Sequence, residues 1–204
     1  MIKLGITGGV GSGKSKVLEF MKDNYSAYIC QADDLGRQLQ SKGENCYTRI
    51  VQEFGTDILD EDGSINRKSL GQLALFNPEA MEKLNSIVHP AVNQRLMELI
   101  ENEKNKGTKL FVFETALLSD KINLDILDEI WYIHVKESVR RERLKLNRGY
   151  NDEKIDGFIQ NQFTESQYEK SCARTIENNE DFENTKAQIL KAMEELAGDR
   201  HEIM

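Results

Sequence analysis

The chain has 204 residues, 39% of them hydrophobic and 30% charged, and its 27 Lys and Arg against 35 Asp and Glu leave a net charge of −8. This composition excludes a disordered chain, and the acidic balance lacks the basic footprint of a nucleic-acid binder, so any anionic ligand must be held by a local positive site. Three widely spaced cysteines, Cys30, Cys46 and Cys172, exclude a disulfide framework and a zinc site. With no signal-peptide core and no membrane-length apolar run, they predict one cytoplasmic domain without membrane association.

Ile2–Thr7 reads as a buried strand and Ser15–Lys22 opens a helix. Ala27–Cys30 is a short second strand. From Gln40 to Glu103 no strand pattern occurs; helices are expected at Tyr47–Phe54, Ser69–Phe76 and near Ala91–Glu101. Leu110–Glu114 and Ile130–Val135 are aromatic and β-branched runs of strand length. A basic helix with Arg140, Arg141 and Arg143 leads into a second polar, strand-free block, Leu144–Ser171. Arg174–Glu177 is a weak last strand, and Asp181–Leu196 has helical spacing with Ile189, Leu190, Met193 and Leu196 on one face. Strands alternating with helices predict an α/β fold of three layers, a mostly parallel central sheet between helices. Residues 40–103 form a helical insertion in it.

Gly8-Gly9-Val10-Gly11-Ser12-Gly13-Lys14-Ser15 satisfies G-x-x-x-x-G-K-[ST] between a strand and a helix. Its glycines let successive N–H groups of Gly9, Val10, Gly11, Ser12 and Gly13 point into one concavity, and the following helix adds its positive end. Lys14 brings a full charge to the β- and γ-phosphates of a nucleotide, and the Ser15 hydroxyl is placed to ligate Mg²⁺. The motif establishes nucleotide-phosphate binding without separating a kinase from other P-loop classes. A GTPase would carry N-K-x-D, whereas Asn105-Lys106 runs on into Gly107-Thr108. A binding module without chemistry has no reason to keep a carboxylate after the second strand, where Asp33 stands.

Over nearly its whole length the chain resembles the dephospho-CoA kinases, P-loop small-molecule kinases with a substrate-binding insertion and a lid. Gly5–Ser15 is similar to that family's G-L-T-G-G-I-G-S-G-K-S, and Gln31-Ala32-Asp33-Asp34-Leu35-Gly36-Arg37 to D-A-D-x-x-A-R. Phe54-Gly55 and Asp62-Gly63-Ser64-Ile65-Asn66-Arg67 with Leu70 follow F-G and D-G-x-L-D-R-x-x-L. Leu84–Pro90 matches L-x-x-I-x-H-P, Glu114–Leu118 is close to D-x-P-L-L, Gln162 fits a lid glutamine, and Ile176–Asn179 resembles I-D-N-x-G. Gln31 and Ala116 depart from the pattern, and Arg143 and Arg148 are five apart where the family has R-x-x-x-R.

The resemblance implies transfer of phosphate from ATP to the ribose 3′-hydroxyl of dephospho-CoA, with Mg²⁺ as cofactor and 144–171 as the lid. It makes Asp33 the base that accepts the hydroxyl proton; from position alone Asp33 is as well an N-cap for a helix Asp34–Gln40. It puts Thr7, Asp33, Arg37, Arg67, His89 and Leu117 on the substrate side, although His89 fits a core position and both arginines a solvated one. It brings one or two lid arginines, Arg143 and Arg148 foremost, over the phosphates, and sets Asn178 beside ATP. Glu114 is a buried or capping carboxylate, or an indirect contact to Mg²⁺ through water. Another small-metabolite or nucleoside-phosphate kinase of the same fold is the alternative, and the pattern carries no signal for an oligomeric state. If the chain is extended through Asp33, Gln31 and Asp33 face the same way and Asp34 turns into the helix.

Overall fold

The computed structural model describes residues 1–116, 124–160 and 162–198. In chain order the elements are β1 (Ile2–Thr7), α1 (Lys14–Tyr25), β2 (Tyr28–Gln31), α2 (Ala32–Leu39), α3 (Asn45–Phe54), α4 (Arg67–Phe76), α5 (Pro78–Asn105), β3 (Leu110–Glu114), β4 (Glu129–His134), α6 (Glu137–Arg148), α7 (Asp152–Gln160), α8 (Glu165–Ser171), β5 (Arg174–Glu177) and α9 (Phe182–Gly198). They fall into two compact units. One holds Met1–Cys30, residues 103–116 and the described residues from 124 on; the other holds Gln31–Asn102.

The first unit is built on a five-stranded parallel sheet in the order β2-β3-β1-β4-β5. All of β3 is buried, as a parallel sheet covered on both faces requires. Leu4, Ile6, Val112, Trp131 and Ile133 meet Val17 and Met21 of α1 and Ile189 and Met193 of α9. One residue out of phase, Phe111 and Tyr132 point to the opposite face. There Phe111 stacks on Tyr28 at 5.4 Å between centroids and Tyr132 on Tyr168 of α8 at 4.5 Å. The Trp131 indole N–H donates to Glu129 Oε2 at 2.7 Å, and the same carboxylate accepts from Arg174 Nε at 2.8 Å.

The strand order positions the site. From β1 the chain passes to β2, beyond β3; from β3 it passes to β4, on the other side of β1. The segments leaving β1 and β3 therefore diverge and open a crevice at the carboxyl ends of these two neighbours, where α/β sheets bind ligands. Ile6 pairs with Glu114 in the β1–β3 register, so the carboxylate stands where the loop after β1 begins.

The second unit is built from α2–α5 around buried Leu35, Leu39, Ile50, Leu70, Ile87, Val92 and Leu96. Two expectations change here. The helix expected near Ala91–Glu101 runs over 28 residues, through Pro90. It starts on Pro78, a residue suited to a first helical position, under Asn77, whose Oδ1 accepts from Glu79 N at 3.1 Å and Ala80 N at 3.2 Å. Pro90 removes one main-chain bond, but Ser86 and Pro90 are exposed, so water can serve the freed carbonyl while Ile87 and Val92 keep the apolar stripe continuous. The second change is at α2, which begins directly after β2. Gln31 holds the N-cap position and Asp33 is already helical, so the alternation expected of Gln31 and Asp33 does not apply, nor does an N-cap role for Asp33.

Candidate active site

The loop Gly8–Ser15 joins β1 to α1 and closes on itself with Ser12 N donating to Gly9 O at 3.1 Å. Gly11 and Gly13 have φ of 84° and 87°, the left-handed region that glycine tolerates. Side chains from distant elements brace the loop so closely that the glycines are required sterically as well. A methyl at Gly8 would lie 2.7 Å from Ile133 O of β4, and one at Gly13 would collide with the Asn178 amide.

Asn178, just after β5, donates from Nδ2 to Ser12 O at 2.7 Å and accepts at Oδ1 from Thr185 Oγ1 of α9 at 2.9 Å. Both ends of its buried amide are thus engaged in holding the loop. Lys14 Nζ donates to Gly8 O at 2.7 Å and lies 3.4 Å from Glu114 Oε1, so the lysine is folded back across the loop toward β3. Ser15 is exposed in the first turn of α1. The hydroxyls of Thr7 and Ser12 are buried with no hydrogen-bond partner among the described residues.

The arginine that touches the loop is Arg140. Its Nε donates to Val10 O at 3.1 Å, and its terminal nitrogen donates to Gln162 Oε1 at 2.6 Å; that oxygen also accepts from Val10 N at 3.3 Å. Arg143, three residues on and so on the same face of α6, brings a guanidinium nitrogen to 3.8 Å from where a Gly13 methyl would stand. Arg148 ends α6, is exposed, and lies about 140° round the helix from Arg143 at ~100° per residue. Arg141 is tied to Glu137 at 2.7 Å and to Asp156 of α7, a structural role.

In the second unit Asp33 and Asp34 occupy the first turn of α2, both exposed. Asp34 Oδ1 accepts from Arg37 at 2.6 Å, while the Asp33 carboxylate has no hydrogen-bond partner among the described residues of the unit. Arg67 reaches Arg37 O at 3.4 Å, which brings these two exposed arginines together; His89 is half-buried in α5. Leu117 lies outside the described residues.

A parallel sheet carrying a phosphate loop, with a lysine inside the loop and an arginine helix against it, defines a P-loop phosphotransferase of the nucleotide-kinase type. The chain belongs to the dephospho-CoA kinase family, whose profile matches residues 2–184. It is 38% identical over 187 residues to the dephospho-CoA kinase of Dehalococcoides mccartyi, covering 91% of this chain and 93% of the relative. With that of Geobacillus kaustophilus it shares 32% over 194 residues, covering 95% and 96%. Among solved structures it superposes on TT1252 from Thermus thermophilus with a TM-score of 0.79 at 25% identity, over 96% of this chain and 97% of that one. Dephospho-CoA kinase from Campylobacter jejuni (TM-score 0.70, 18% identity, 97% and 98% covered) and shikimate kinase from Bacteroides thetaiotaomicron (0.55, 15%, 96% and 98%) share the fold.

Proposed function

We propose that this protein transfers the γ-phosphoryl group of ATP to the ribose 3′-hydroxyl of dephospho-CoA, giving ADP and CoA, the last step of coenzyme A biosynthesis. The observation that carries the reading is the extent of the family match, which takes in the phosphate loop, the whole second unit and the α6–β5 segment. The hydroxyl oxygen attacks the γ-phosphorus, the bond to the bridging oxygen breaks with its electrons left on ADP, and the hydroxyl proton passes to Asp33. Positioning and charge stabilisation dominate such a reaction. Loop N–H groups from Gly9 to Ser15 cradle the phosphates, Asn178 holds the cradle from below, and Lys14 turns from Gly8 O and Glu114 toward the β- and γ-phosphates.

The donors around the loop fit Mg²⁺, which takes hard oxygens and shares its shell with substrate phosphates and water. Ser15 would hold it directly and Glu114 through water. Bound there, the ion neutralises charge on the transferring group. Arg37, Arg67, His89 and Thr7 are assigned to the acceptor by the family pattern, as is Leu117. The reading needs neither nucleic acid nor a membrane surface; no helix among the described residues is long and apolar enough to cross a membrane. Three cysteines outside any disulfide support a reducing compartment, the cytoplasm.

The test is an acceptor panel with ATP and Mg²⁺, product read by mass. Dephospho-CoA should yield ADP and a species one phosphate heavier. Turnover with only shikimate, gluconate or a nucleoside would move the protein to another acceptor, and ADP release stimulated by none of them would remove the kinase reading.

The α6 arginines should separate by face. Arg140→Ala is expected to lower kcat/KM for ATP by roughly 10²-fold, and Arg143→Ala to lower kcat about tenfold, because both stand at the loop where charge develops. Arg148→Ala should stay within about twofold, as a solvated charge does. Steady-state kinetics with varied ATP decide it; a silent Arg140→Ala would take that residue out of the site.

A further inference from the structure

Two carboxylates close on one imidazole at the carboxyl end of the sheet. His134, the last residue of β4, is buried. Its Nδ1 lies 2.8 Å from Glu177 Oε2 of β5, and its Nε2 lies 3.0 Å from Glu165 Oε1 in the first turn of α8. A carboxylate can only accept, so each contact is a hydrogen bond only if the ring nitrogen carries a proton. A neutral ring has one N–H and would set its other lone pair against an anion. A proton on Nε2 ties β4 to Glu165 of α8, and one on Nδ1 ties it to Glu177 of β5.

Tyr132, on the same strand and 5.6 Å from the imidazole between ring centroids, is pushed up to about 12, chiefly by burial, and so faces His134 as a neutral phenol. Lys136 and Glu180 line a cleft with His134 and Glu177. Glu177 has further ties, accepting from the Asn179 amide and donating its own N–H to Gln188 at 2.9 Å. The Glu165 carboxylate, by contrast, has His134 as its one hydrogen-bond partner among the described residues.

What depends on that bond is the placement of α8. Seven residues make too short a helix to persist by itself. Its first turn is closed by a Thr164–Gln167 capping box, and it is docked by the Tyr168–Tyr132 stack, by Tyr168 Oη donating to Ala116 O at 3.1 Å, and by Glu165. Three residues before Glu165 is Gln162, whose Oε1 joins Val10 N to Arg140. Phe163 between them rests on Tyr168 at 5.6 Å. The segment that seats Gln162 on the phosphate loop is thus pinned at its other end by His134.

We propose that His134 is a positioning residue for ATP: through the contact of its Nε2 with Glu165 it bolts α8 to the strand ends, and so holds Gln162 and Arg140 against the phosphate loop before the nucleotide arrives. The inference rests on the loop being the ATP site. A lid residue already in place raises apparent affinity in proportion to the fraction of molecules that have it there. Loosening the bolt lowers that fraction, and saturating ATP restores it.

Glu165→Ala tests this from an exposed position. KM for ATP should rise about 5- to 10-fold while kcat at saturating ATP moves less than about twofold, the pattern of a smaller competent population. The KM for dephospho-CoA should not move. In the ATP-free protein the amides of residues 165–171 should exchange roughly tenfold faster, with those of α9 unaffected. Glu165→Gln, which keeps an acceptor oxygen, should recover part of the effect. His134→Asn should raise KM similarly, and adding Glu165→Ala to it should raise it no further, since both break one contact. Wild-type exchange in α8, faster exchange with an unchanged or lowered KM for ATP, or shifts that multiply in the double variant would each overturn the bolt. If the wild-type protein turned over no dephospho-CoA, the exchange rates would still decide whether His134 holds α8, so the two readings fail separately.

Discussion

Lys14→Ala is expected to cost catalysis far more than nucleotide binding, lowering kcat roughly 10²- to 10³-fold while the Kd for ATP weakens less than about tenfold. The ammonium is the one full positive charge inside the loop, 2.7 Å from Gly8 O and 3.4 Å from Glu114. Its attraction grows as negative charge spreads over the transferring group, so its loss falls mainly on the transition state. Backbone N–H groups and the positive end of α1 survive the substitution and keep holding the ground-state phosphates. Glu114 is buried and would lose this cation, which adds a cost unrelated to catalysis. Denaturation midpoints of the single variant and of the double variant Lys14→Ala, Glu114→Gln measure that stability cost by itself, because the neutral amide no longer needs the cation. Equal losses in kcat and in ATP affinity for the single variant would show that Lys14 serves binding alone. Single-turnover rates and direct ATP titration supply both numbers.

Asp33→Asn should lower kcat by roughly 10²-fold or more with little change in ATP affinity, the lower range for removing a general base where positioning dominates. Asp34→Asn should stay within a few-fold, because its carboxylate is engaged by Arg37 at 2.6 Å in an exposed pair of small energetic weight. The two neighbours share the first turn of α2, and their engagements distinguish them: one carboxylate is taken and the other has no partner among the described residues of its unit. Equal losses in both variants, or full activity in Asp33→Asn, would mean that the proton goes elsewhere.

The part of the fold most legible in the sequence is the strand whose burial is complete. β1, β3 and β5 have the expected bounds; β3, covered on both faces, reads as an unbroken apolar run that ends at a charge, whereas β5 is a partly exposed edge strand with a weak pattern. β2 and β4 are each displaced by one residue. Pro90 hid the first half of α5, because a proline reads as a helix boundary unless its freed carbonyl faces water, and exposure is not written in the sequence. The site divides in the same way. The phosphate loop is contiguous, so its residue types and spacing carry its chemistry. Arg140 and Gln162 meet Val10 across 130 and 152 residues of chain, contacts that only the tertiary fold creates. Arg140 could be named as one of several helix arginines but not preferred over Arg143 or Arg148, since the direction in which α6 faces is set by its packing. His134 gave no signal: it closes an apolar strand, and its carboxylate partners come from α8 and β5.

Trp131 is the chain's single tryptophan, fully enclosed within β4 with its N–H on Glu129. The protein therefore carries an intrinsic optical label confined to one of its two units. Indole emission during urea or heat denaturation follows the sheet, whereas far-ultraviolet dichroism also weighs α2–α5. Superimposable curves would make the halves a single cooperative species. A dichroic transition that runs ahead of the indole signal would instead assign the lower local stability to Gln31–Asn102, and the gap between the two midpoints would measure by how much.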